Sequence, residues 1–244
     1  MTRKYYSRGV LCVLLVLAAG CTSHPSNPRD PLEPMNREIY KFNDKADRYV
    51  MKPVAETYRD VTPKGVRKGV SNFFSNLGDA SSTVNYALQA RPEASFYSFS
   101  RFLLNTTVGV LGLFDVTGEE QRRFAKTGFG DTFARWGWKN SSYFVMPLMG
   151  PSTLRDSTGT VSGMAFQNNV IYGHPHQDVR IASGTLSALS TRERLLGVED
   201  TLEKAALDPY AYMRDGWLQY RAKQIGDSSA QKSEEEIDID DLVK

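Results

Sequence analysis

The sequence predicts an all-α fold. Apolar residues recur at three- and four-residue spacing along most of the chain. No strict polar/apolar alternation lasts more than a few residues. Proline or Asp-Pro stands where several of the periodic stretches begin. About eight such segments with short connections imply one mostly helical domain.

The first stretch reads as a targeting signal. Residues 1–20 carry Arg3, Lys4 and Arg8 and no acid, and these lead into the apolar run VLCVLLVLAAG. A charged start, a short apolar run and small residues at a cleavage point mark export. Cys21 follows Ala19-Gly20, so LAAGC resembles the bacterial lipobox, in which the cysteine is acylated and becomes the first mature residue. Ala18 stands where the commonest lipobox has leucine. The alternative is an ordinary signal peptide with an incidental cysteine. The only other cysteine, Cys12, lies inside the signal, so the mature chain would have neither a disulfide nor a zinc–thiolate site. By resemblance to lipoprotein sorting rules, Thr22 after the cysteine favours the outer membrane. Residues 21–29 then form a lipidated, polar, Pro-containing tether.

The expected helical domain covers 30–222. Met35, Ile39, Phe42, Ala46 and Tyr49 share one helix face; Asp30 with Pro31, or Glu33 with Pro34, starts it, and Lys52-Pro53 ends or kinks it. Thr62-Pro63 opens a second helix with Val66, Val70, Phe73, Phe74 and Leu77 on one face, which Gly78-Asp79 is expected to break. Arg91-Pro92-Glu93 starts a long helical stretch through Phe96, Phe99 and Phe102. Glu119–Lys126 reads as a short helix, and Asp131 as the cap of a turn bearing Phe133, Trp136 and Trp138. Ser142–Leu154 reads as extended or irregular. His174-Pro175 introduces a weak helix, and Thr191 another. Asp208-Pro209 starts a helix with a stripe of Tyr210, Met213, Trp217 and Tyr220. Residues 223–244 carry three basic and seven acidic side chains and read as an acidic disordered tail.

Enzyme chemistry finds little support. Gly69-Val70-Ser71-Asn72-Phe73 fails the nucleophile-elbow pattern at its last place, and Gly128-Phe129-Gly130 lacks the third glycine of a dinucleotide loop. His174 and His176 flank a proline with no partner at ligand spacing, so no metal and no cofactor are expected. The formal charge of +2 gives no strong basic field, which leaves no support for nucleic acid as a partner.

One run remains unusual. Phe102–Phe114 carries no charge over thirteen residues, too few to span a bilayer, which takes about twenty. It contains Gly109 and Gly112, read as helical glycines that permit close packing. The tryptophans and several tyrosines of the later half suit a bilayer interface. Ordinary core fits each of these residues taken singly, and with a lipid anchor at Cys21 a lipid-contacting surface stands level with it.

The blocks DPLEPMNREIYKFN (30–43), KPVAETYRDVTPKGVRKGVSNFFSNL (52–77), VNYALQ (84–89), RFLLNTTVGVLGLFDV (101–116), MPLMGPSTLRD (146–156) and DPYAYMRD (208–215) together resemble the MlaA (VacJ) lipoproteins of Gram-negative outer membranes. The resemblance implies a ring of helices lying in the inner leaflet of the outer membrane, with an amphipathic central channel. It implies that phospholipid strayed to the outer leaflet passes through the channel to a soluble periplasmic lipid carrier, with a trimeric outer-membrane porin as partner. By position within the family, two stretches would form the channel, Asn105–Val116 and Gly137–Asp156. The first supplies Asn105, Thr106, Val108, Gly109, Leu111, Gly112 and Phe114. The second supplies Gly137, Trp138, Lys139, Tyr143, Phe144, Met146, Pro147 and Gly150. Family members often carry several glycines before that tyrosine; GWKNSSY (137–143) has one, so Trp138 and Lys139 are expected at headgroup level instead. The alternative function is a porin-associated structural lipoprotein without transport.

Overall fold

The computed structural model describes residues 27–171, 173, 176–196 and 207–226. The expected signal, Cys21 and the segment after Gly226 lie outside them, as do His174 and Val198. What is described is mostly helical with one small hairpin.

Helix α1 spans Glu33–Ala46, so the later of the two possible starts is the real one, with Pro34 in the first turn where a missing N–H costs nothing. Asp30 is no helix cap. It is fully buried, and its carboxylate accepts from Asn36 Nδ2 at 2.8 Å and from the Tyr210 hydroxyl at 2.5 Å. A π-helical turn, Asp47–Met51, carries α1 directly into α2, Lys52–Val61, so Lys52-Pro53 does not end the helical path.

Helix α3 runs unbroken over Lys64–Leu88, 25 residues. The break expected at Gly78-Asp79 is absent because both residues serve packing. The Asp79 carboxylate takes two hydrogen bonds from Arg122, at 2.7 and 3.1 Å. The missing side chain of Gly78 leaves room for the Lys126 stem, which a Cβ there would meet at 3.4 Å.

Helix α4, Pro92–Thr107, packs along α3 and stops short of the apolar run. Residues 108–118 are turns, not helix. Val110, Leu111 and Gly112 take consecutive positive φ values of 51°, 57° and 86°. The expected helix at Glu119–Lys126 is reduced to a single 3₁₀ turn, Glu119–Gln121.

Helix α5 is Phe129–Arg135; Asp131 accepts from the Gly128 N–H at 3.0 Å and so caps its first turn, as expected. The stretch read as extended or irregular is an antiparallel hairpin, β1 (Tyr143–Met146) with β2 (Gly150–Thr153), Tyr143 opposite Thr153. Gly150, at φ 84°, closes its turn. Helix α6, Leu154–Phe166, had no sequence signal; Thr153 caps it by accepting from the Asp156 N–H at 3.1 Å. A second π-helical turn, Gln167–Ile171, follows. Helix α7, Gln177–Leu195, runs through Thr191, where a new start was expected. Helix α8, Pro209–Ile225, is capped by Asp208 as the sequence predicts and closed by Gly226 at φ 69°.

Charged clamps join distant elements. Arg192 of α7 grips Asp47 at 2.6 and 2.7 Å, and Arg67 of α3 pairs with Glu193. Tyr143 and Val145 of β1 pack with Tyr210 and Leu218 of α8, and Asn36 bridges α1 to β1 by accepting from the Val145 N–H at 2.9 Å.

Helices α5 and α6 approach backbone to backbone. A Cβ on Gly159 would lie 2.2 Å from the Gly130 nitrogen. Gly159→Ala is therefore expected to cost about 1–3 kcal/mol in folding stability. Gly184→Ala, where a Cβ meets nothing within 4 Å in α7, is expected to be neutral or stabilising. Denaturant midpoints of the detergent-solubilised protein check both; equal midpoints for the two variants would contradict the close α5–α6 contact.

Candidate functional site

Polarity is distributed unlike that of a water-soluble domain. Among the described residues, eight hydrophobic side chains are buried against nineteen polar or charged ones. Large apolar side chains point outward instead, among them Tyr49 (80% exposed), Val61 (73%) and Phe96 (72%). A surface this apolar calls for lipid or protein against it. No described helix is long and apolar enough to cross a membrane.

The turns at 108–116 present one part of that surface. Val108, Val110, Leu111 and Phe114 are each more than half exposed. Their backbone is held from beneath. Asn105, buried at the end of α4, donates to Asp115 and to Thr117, both at 3.1 Å, and accepts from the Val116 N–H at 3.0 Å. Thr106 accepts from Asn76 at 2.8 Å, and Asn72 donates to the Leu113 carbonyl at 3.1 Å. Left-handed backbone at Val110 and Leu111 costs of order 1 kcal/mol each, so these polar anchors fix a strained apolar knob. Gly112 is required twice: for its positive φ, and because a Cβ there would sit 2.6 Å from Asn76.

The second feature is an amphipathic cleft of about 530 Å³ between α5, the hairpin, α6 and α8. Met146, Met149, Met164 and Phe129 form its apolar part. Asp131, Asp156 and Arg221 form its charged part. Arg221 of α8 donates to Asp156 at 2.7 and 2.9 Å and pairs with Asp131 at 2.9 Å. Arg155 donates to the same Asp156 at 3.0 and 3.1 Å, and to the Lys139 carbonyl at 2.9 Å. Burial opposes ionisation of Asp156, yet the hydrogen bonds from Arg221 and Arg155 outweigh it and hold the carboxyl below its usual range.

The sequence-predicted residues divide among these places. Val108, Leu111 and Phe114 lie on the exposed knob, and Asn105, Thr106, Gly109 and Gly112 support it. Met146 lines the cleft, while Pro147 lies in the hairpin turn and Gly150 begins β2. Gly137, at φ 114°, precedes Trp138, which stacks on Phe133 with centroids 6.4 Å apart, and Lys139 lines a separate cavity. Phe144 is half-buried. Tyr143 is no wall residue: it is fully buried against Tyr210, and burial pushes its hydroxyl pKa up. Sequence reasoning missed Arg221, read Asp131 only as a cap, and placed Arg155 inside the second stretch without singling it out. Their roles come from contacts between remote segments, and the Leu-Arg-Asp of MPLMGPSTLRD was the one available signal.

A family model for the MlaA lipoprotein matches residues 28–224. The intermembrane phospholipid transport system lipoprotein MlaA of Escherichia coli strain K12 is 33% identical over 210 residues, covering 83% of this chain and 82% of its own. The protein of the same description from Haemophilus influenzae is 29% identical over 250 residues, covering 98% of each chain. A solved structure from work on the structural basis for maintenance of bacterial outer membrane lipid asymmetry superposes with a TM-score of 0.69 at 32% identity, covering 80% of this chain and 98% of that one.

The Asp156 network predicts a particular acid sensitivity. A carboxyl whose folded pKa is depressed contributes stability above its unfolded value, near 4, and loses it as pH falls through the folded value. The wild type should therefore lose stability below about pH 4. Asp156→Asn, which leaves Arg155 buried without its anion, should cost about 3–5 kcal/mol at pH 7 and flatten that acid loss. Denaturant titrations at pH 7 and pH 3.5 measure both effects; an acid loss undiminished in the variant would contradict the assignment.

Proposed function

Because the chain belongs to the MlaA lipoprotein family, we propose that it is the outer-membrane component of an intermembrane phospholipid transport system. In this reading it removes phospholipid mislocalised to the outer leaflet and passes it to a soluble periplasmic carrier, which maintains lipid asymmetry. Family membership makes it a membrane-associated lipoprotein of the Gram-negative envelope. Acylation of Cys21 anchors it to the periplasmic face of the outer membrane, beside a trimeric porin. The helical domain sits within the inner leaflet as a ring, and the transport step breaks no bond.

The inverted polarity carries this reading. A domain with exposed valine, leucine and phenylalanine and a buried charge network is stable where lipid replaces water outside. The cleft bounded by Met146, Met149, Met164, Asp156 and Arg221 offers both kinds of surface a phospholipid needs. Acyl chains follow the methionines, whose flexible thioethers adapt to varied shapes. The headgroup follows the charged wall. The knob at Val108–Phe114, the last seven residues of the uncharged run, enters the acyl region without crossing it.

Deletion of the gene should raise outer-leaflet phospholipid. The wild-type copy should restore the low level, and Cys21→Ala should not, because the loss of acyl chains removes about 0.8 kcal/mol of membrane attachment per buried CH₂. Lipid labelling of intact cells reads this. An unchanged outer leaflet on deletion would overturn transport and leave a porin scaffold as the better description.

A further inference from the structure

A second cavity, of about 380 Å³, opens between the N-terminal segment Pro28–Arg29, the loop 139–142 and the end of α8. Its size falls in the range of small-ligand sites, about 300–1,000 Å³. Arg29, Lys139, Arg155 and Arg221 line it, and among the described residues no carboxylate does. Asp156 and Asp131 neutralise Arg155 and Arg221 from behind. Lys139 is exposed and has no ion-pair partner among the described residues. The hydroxyls of Ser142 and Thr153 add polar lining, and Leu218 and Ile225 close the α8 side. With two of the arginines already neutralised, Lys139 beside these hydroxyls, with no lining acid against it, makes a site for a phosphate oxyanion.

We propose that this cavity holds the phosphate diester of a phospholipid headgroup, an inference that rests on the phospholipid reading above. Three observations favour a headgroup over free phosphate. Trp138, next to Lys139, and Trp136 beside it are both exposed, and such indoles settle at the membrane interface. Pro28 lies seven residues after Cys21, so an acylated cysteine stays within about 25 Å of the cavity at 3.3–3.6 Å per residue. The cavity also adjoins the amphipathic cleft. Ser152 and Asp156 line the cleft, Thr153 and Arg155 line the cavity, and Arg221 lines both. A lipid whose phosphate rests at Lys139 therefore has an apolar cleft next to it.

The full-length acylated protein in detergent is titrated calorimetrically with three probes: dihexanoylphosphatidylglycerol, dihexanoylglycerol and inorganic phosphate. The phosphate-bearing lipid should bind most tightly. Lys139→Gln, at an exposed loop position, should weaken it roughly tenfold, as for one charged hydrogen bond, and leave dihexanoylglycerol unchanged. Arg29→Gln should act in the same direction. Phospholipid binding that neither substitution weakens would overturn the site while leaving the transport reading intact. Inorganic phosphate binding as tightly as the lipid, with the same loss in Lys139→Gln, would make this a free-anion site and overturn the headgroup assignment. A wild type that binds neither lipid would contradict both the site and the transport reading.

Discussion

A carboxylate out of water is destabilising unless cations or hydrogen-bond donors surround it. This protein buries Asp30, Asp79 and Asp156, and each one joins segments far apart in the chain. Asp30 binds Asn36 of α1 and Tyr210 of α8. Asp79 of α3 takes the fork of Arg122, with Arg101 of α4 at 3.7 Å. Asp156 of α6 takes two arginines, one of them from α8. With so few buried apolar side chains, these clamps supply the specificity that an oil-like core gives a water-soluble domain. The Asp156 clamp, which ties α6 to α8, also fixes how those two walls of the cleft face one another.

Filling the interior with polar clamps sends apolar side chains outward. In water that surface would be an aggregation liability; against acyl chains it is solvated by its surroundings. The same arrangement accounts for the knob at 108–116. Asn105 accepts from the Val116 N–H and Asn72 donates to the Leu113 carbonyl, so part of its backbone is satisfied from the protein side, beneath the apolar tip. Each part of the molecule then meets a different part of its surroundings. In the proposed reading an acylated Cys21 attaches the chain, the knob is the part that would contact acyl chains, and the cleft with its charged wall and the adjoining basic cavity would receive the two ends of a phospholipid.

The elements legible in the sequence are those with local causes. Pro34, Pro92 and Pro209 stand in the first turns of α1, α4 and α8, and Asp208 caps the Tyr210 and Ala211 N–H groups from its own neighbourhood. What escaped depends on remote contacts. Helix α6 is rich in serine, threonine and glycine, weak helix formers, and exists because Gly159 lets it lie against Gly130. Gly78 read as a break because nothing local reveals Lys126 beside it. The apolar run has helical spacing, but left-handed backbone at 110–112, held by Asn76 and Asn105, overrides it. The candidate site shows the same division. Met146 and Lys139 were found by position within a family pattern, whereas Arg221 emerged only once α8 met α6.

In the proposed reading phospholipid occupies the cleft between α5, α6, the hairpin and α8. Replacing Met164 of the cleft wall by a photoreactive benzoyl-phenylalanine, irradiating intact cells and analysing the purified protein by mass spectrometry tests it directly. A second variant at Leu111 on the exposed knob reports general lipid contact. Phospholipid adducts are expected at both positions, with those at Met164 richer in lipid drawn from the outer leaflet. Adducts at Leu111 and none at Met164 would contradict it, leaving a protein that lies in lipid without passing any through its interior.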